Sequence, residues 1–136
     1  MRQRLDIWLL AVACVSLLLI TVLHLFAFAN LDSALDQLPV RSQLLDVLRG
    51  SWVLYAAHLL IAALLCALSA IWPARFSRGL RAALALWMSI DAGLMFYFVG
   101  VFLGSVLTTA VAIILLLSAA LPVQQGSAKT AHSKPS

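Results

Sequence analysis

Residues 82–122 read AALALWMSIDAGLMFYFVGVFLGSVLTTAVAIILLLSAALP, and the only charge among them is Asp91. As one α-helix this run would be about 60 Å long, about twice the hydrocarbon thickness of a bilayer, so it must turn back on itself. Gly100 and Gly104 bracket its middle and leave two arms of similar length, which places a turn around 98–104.

Two more apolar runs precede it, Ile7 to Ala29 and Trp52 to Trp72, each of the roughly 20 residues that a membrane-spanning helix requires. Over the whole chain of 136 residues, 64% are hydrophobic and 10% charged, with a mean hydropathy of +1.06. A soluble domain has no such composition. The expected fold is all-α: an integral membrane bundle of four transmembrane helices at about 6–29, 51–72, 81–99 and 103–122, with a short amphipathic outer loop at 30–50.

The basic residues give an independent reading of topology. With the N-terminus in the cytoplasm, Arg2, Arg4, Arg75, Arg78, Arg81, Lys129 and Lys134 lie inside and only Arg41 and Arg49 outside, as the positive-inside rule requires. Trp8 and Trp72 then fall near the inner interface, and Trp52, Tyr55 and Tyr97 near the outer one. The expected location is the inner (plasma) membrane, with both termini cytoplasmic. The formal net charge of +4 is mostly a topology signal. Scattered singly, these cations make no nucleic-acid surface, and the partners expected are the lipid bilayer and a membrane protein or a second copy of the chain. Ala27-Phe28-Ala29 also has the small-residue pattern of a signal cleavage site. The apolar segment before it exceeds the usual signal-peptide core, which favours a retained span.

In the loop, Leu31, Leu35 and Leu38 follow helical spacing before Pro39, and Leu44, Leu45, Val47 and Leu48 form a second stripe ending at Gly50, read as a C-cap. With Asp32, Asp36, Arg41, Asp46 and Arg49 facing water, the segment reads as one or two short amphipathic helices on the outer leaflet or over the bundle. The polar tail 123–136 has no apolar periodicity and is expected to be disordered in the cytoplasm.

A carboxylate at the centre of a membrane helix costs about 2.5–3.5 kcal/mol even on lenient insertion scales, so something within the protein must compensate Asp91. Counting along the helices places His24, His58, Asp91, Ser105, Thr108 and Thr109 in the outer half or at the midplane. The inner half holds only cysteines and serines, among them Cys14, Cys66, Ser89 and Ser118. His58 and Asp91 match in depth to within a turn, and a hydrogen-bonded imidazole–carboxylate pair is cheaper in lipid than either group alone. The pair reads either as a proton-carrying or ligand-binding site or as a structural tie between the second and third spans.

On the third span Ala85, Ser89 and Gly93 recur every four residues, a small-residue strip for close helix packing, which Ala63 and Ala67 on the second span could face. Asp91 lies about 120–160° away from that strip. His24 and His58 could alternatively hold a haem or a metal ion, but their spacing is not specific, and no metal site or cofactor is expected. Cys14 and Cys66 form no Cys-x-x-Cys pair. The stretch Tyr55 to Ala63, YAAHLLIAA, is similar in texture to histidine-bearing helices of bacterial cytochrome-like and copper-resistance membrane proteins. This resemblance covers one helix and implies no ligand residue.

With no phosphate loop, nucleophile elbow or zinc-protease pattern, no catalytic residue is expected. The leading functional expectation is a small non-enzymatic membrane protein, an accessory or scaffold subunit of a membrane complex. An oligomeric proton- or cation-coupled transporter or channel using Asp91 and His58 is the alternative. A bis-histidine haem or metal-binding anchor is the third.

Overall fold

The computed structural model describes residues 2–37, 39, 42–72 and 78–121, with the backbone alone for residues 2 and 3. Among these the chain forms four helices: α1 (Arg2–Leu35), α2 (Ser42–Ile71), α3 (Arg78–Phe98) and α4 (Leu103–Ala120). All four are long and apolar enough to cross a membrane, so the protein is an all-α, multi-pass membrane protein. The expected tail at 123–136 lies outside the described residues.

Each helix buries a narrow stripe at coiled-coil spacing, because only one face of a membrane helix meets protein while the rest meets lipid. On α1 the stripe is Leu10, Ala13, Leu17 and Ile20, and on α2 it is Ala56, Leu59, Ala62, Ala63 and Cys66. On α3 it runs through Arg81, Leu84, Ala85, Met88 and Ala92, and on α4 through Ser105, Thr108, Val111, Ala112, Leu115 and Ser118. The alanines let the helices approach closely. α1 packs against α2 and α4, and α3 against α4, whereas α2 and α3 approach each other least. The ring of helices therefore has one loose seam, between α2 and α3.

Residues 30–35 and 42–50 are helical, but as continuations of α1 and α2 rather than as separate short helices, and Leu38 and Arg41 lie outside the described residues. Nothing breaks α1 at Asn30, and Gly50, expected to cap a short helix, sits inside α2 with open space around it. Arg49 ties the two extensions together: its Nε donates to Asp32 Oδ1 at 2.6 Å, its Nη2 donates to Asp36 Oδ1, and Asp46 lies 3.9 Å away. With 34 and 30 residues, α1 and α2 are about 51 and 45 Å long, against about 31 and 27 Å for α3 and α4.

The α3–α4 turn falls where the glycines place it. Gly100 has φ +89°, a conformation that L side chains rarely adopt, and its N–H donates to the Met95 carbonyl at 3.1 Å. A Cβ on Gly104 would lie 2.4 Å from the Phe102 ring. Ser105 closes the start of α4: its Oγ accepts from the Phe102 N–H at 3.1 Å, and its proton points at the Phe102 and Gly100 carbonyls, 2.8 and 3.2 Å away.

Candidate functional site

His58 on α2 and Asp91 on α3 meet across the loose seam, with Nε2 2.8 Å from Oδ2. Their side chains are 23% and 13% exposed, so the couple is neither sealed in the core nor open on the surface. Asp91 lies about 15 Å along α3 from Arg81 and about 10 Å below the α3–α4 turn. At that depth the exposed part of the couple meets hydrocarbon, where polar atoms without partners are costly.

Aromatic rings enclose the couple. Tyr55, one turn from His58 on α2, stacks on it at 5.6 Å between ring centroids, and Trp87 on α3 meets its edge at 4.2 Å. The Tyr55 hydroxyl donates to Met95 Sδ at 3.4 Å, a second bridge across the same seam. Thr108 on α4 lies 3.7 Å from that sulfur, although its hydroxyl proton goes to the Gly104 carbonyl at 2.9 Å.

His24 belongs to a separate arrangement. Its Nε2 donates to the Trp52 carbonyl at 3.0 Å while the Trp52 indole N–H donates to the His24 carbonyl at 3.0 Å, with the two rings stacked at 4.3 Å. This reciprocal tie locks α1 to α2. The Tyr55 ring contacts both imidazoles, 5.1 Å from His24 and 5.6 Å from His58, while their Nε2 atoms are engaged by different partners, the Trp52 carbonyl and the Asp91 carboxylate. No known protein family matches this chain, and no curated protein or solved structure is significantly similar to it.

The other expected residues divide in the same way. Ser105 is the turn cap, and Thr109 returns its proton to the Ser105 carbonyl at 2.8 Å, so neither reaches the couple. Ala63 and Ala85 are buried in the core and Ala67 is half-buried. Ser89 bonds back to the Ala85 carbonyl at 2.8 Å, and Gly93 is exposed with nothing within 4 Å. The small-residue strip thus enters the core at Ala85 and leaves it at Gly93. The buried stripe advances by three and four residues alternately, while the strip advances by four and drifts off it.

One polar cluster contradicts the expectation that the inner half holds only cysteines and serines. Arg81 on α3, read from the sequence as a cytoplasmic topology signal, is 2% exposed. Its Nη1 donates to Asp6 on α1, with Oδ1 and Oδ2 at 2.6 and 2.5 Å, and Ser118 on α4 donates to Asp6 Oδ1 at 2.5 Å. Three helices are joined at one point. Two signals could have found it: Arg81 falls in register with Leu84, Ala85 and Met88, and Asp6 is an opposite charge at the same end of α1. Beside it, Arg78 Nε donates to the Ala119 carbonyl at 2.6 Å and satisfies an end group of α4.

Proposed function

We propose that the protein is a small non-enzymatic multi-pass protein of the inner (plasma) membrane that, within an oligomer or larger membrane complex, holds an exchangeable proton or cation at His58–Asp91. Both termini are assigned to the cytoplasm, which puts Arg81 at the inner face and Arg49 at the outer. The observation that supports this reading is the 2.8 Å contact between His58 and Asp91 across the α2–α3 seam, partly exposed at 23% and 13% and about 10 Å below the α3–α4 turn. Intramembrane ionisable residues mark ion and proton pathways, and a purely structural pair needs no access. Here a structural tie already exists at Arg81, Asp6 and Ser118, where Arg81 and Ser118 are buried.

The test is a pH titration of ¹⁵N-histidine-labelled protein in lipid nanodiscs by NMR. The His58 signal is expected to respond to pH, and Asp91→Asn to displace that response while leaving the His24 signal in place. A His58 signal that stays constant with pH, or that ignores Asp91→Asn, overturns the proposal.

A second reading, an accessory or scaffold subunit, is favoured by Gly93. It lies on an exposed flank of α3 with Ile90 and Leu94, open for another transmembrane helix to approach closely.

A further inference from the structure

The α2–α3 seam constrains what could occupy the couple beside a proton. About 10 Å below the α3–α4 turn the couple is within the apolar part of the spans, away from headgroups and hydrated metal ions, so an occupant arriving from the side must itself dissolve in hydrocarbon. Asp91, the only acid in the uncharged run 82–122, selects positive charge. Tyr55 and Trp87, each half-buried and each in contact with His58, supply π faces that attract an organic cation and repay part of its desolvation. Met95, already in contact with Tyr55, adds a polarizable and adaptable wall. Among the described residues the arginine of α3 nearest the couple along the helix, Arg81, lies about 15 Å away and is engaged by Asp6.

We infer that the couple binds a lipophilic organic cation with delocalised or quaternary charge, which enters through the α2–α3 seam and exchanges with the proton shared by His58 and Asp91. This rests on the proposed role of the couple as a proton- or cation-holding site. In the exchange the cation pairs with the Asp91 carboxylate, His58 is left as neutral imidazole, and one proton passes to bulk water, so charge balances. No bond other than N–H is broken. The titratable groups packed around the couple are Tyr55 on α2 and, beyond it, His24 on α1; α3 contributes Trp87 and Met95 and α4 contributes Thr108, none of which titrates near neutral pH. The exchange therefore involves a single proton.

Tetraphenylphosphonium titrated into the full-length protein in nanodiscs, by isothermal calorimetry in two buffers of different ionisation enthalpy, tests this. Expected are saturable binding, one proton released per cation, and affinity that rises about tenfold per pH unit while the couple is protonated. Asp91→Asn should abolish binding with helical content unchanged by circular dichroism, and Trp87→Leu should weaken it several-fold. If Asp91→Asn does not fold, His58→Gln serves in its place, with binding retained and proton release lost. Absence of saturable binding, binding that survives Asp91→Asn, or binding without proton release overturns the inference. A normal His58 titration by NMR with no phosphonium binding defeats this inference alone, whereas an NMR signal that does not titrate defeats the proposed function as well.

Discussion

The two charged contacts inside this bundle join similar carboxylates to different partners. At one end, Asp6, Arg81 and Ser118 draw α1, α3 and α4 together, with Arg81 and Ser118 buried and the Asp6 side chain 15% exposed. About 10 Å below the α3–α4 turn, His58 and Asp91 join α2 and α3, the neighbours that pack least, and keep part of their surface open. The carboxylates of the two contacts are similarly exposed, 15% at Asp6 and 13% at Asp91, and the difference lies in their partners. Arg81 is a permanent cation, 2% exposed, and can only hold the helices, whereas His58, 23% exposed in a loose seam, is an imidazole, a group able to gain and lose a proton.

Breaking the Asp6–Arg81 pair should have the largest effect. Asp6→Ala leaves the Arg81 guanidinium buried without its counter-charge, at an expected cost of about 3–5 kcal/mol. Thermal unfolding in detergent, followed by tryptophan fluorescence, should show a large drop or no folded protein. Replacing both partners, Asp6→Leu with Arg81→Met, should recover most of the loss, since well-packed apolar groups often match a buried ion pair. If Asp6→Ala melts like the parent, the distinction between the two contacts collapses.

Asp91→Asn should cost far less in the same melt, about 0.6 kcal/mol and at most about 1.7, because the amide keeps a hydrogen bond to His58 and interhelical bonds in membranes are individually weak. A loss as large as that of Asp6→Ala would make the His58–Asp91 couple structural. Smallest of all should be Arg49→Gln. Its partners Asp32, Asp36 and Asp46 are exposed, and ion pairs of that kind contribute little to stability, so the melting curve should not move.

The parts that could be read from the sequence are those governed by one-dimensional rules. Apolar length and an uncharged run too long for one crossing place four spans, and Gly100 marks the reversal because a positive φ is needed there. Depth along the helices brought His58 and Asp91 to the same level, though it carries no information on which faces meet. The burial of Arg81 was not foreseen, because positive-inside counting assigns an arginine to a side of the membrane and says nothing of where its side chain goes. A long side chain can turn inward when an acid on a neighbouring helix waits at the same level. The segment 30–50 was read as separate helices because polar residues appear at Asn30. Polarity there marks the water surface, and the helices cross that surface without stopping.

The unequal helix lengths make the molecule stepped. α3 and α4 end in a turn whose Val99, Val101, Phe102 and Leu103 are exposed apolar side chains, while α1 and α2 rise well past it, joined by Arg49. Such a turn needs an apolar cover, and where that cover is lipid the bilayer laps over one half of the protein while leaving the other standing clear. At about 27 Å, α4 suits a thin membrane, and in a thicker one lipid beside it would have to compress. The bundle would then dimple the leaflet on that flank, and neighbouring proteins with short spans would tend to gather there without any specific contact.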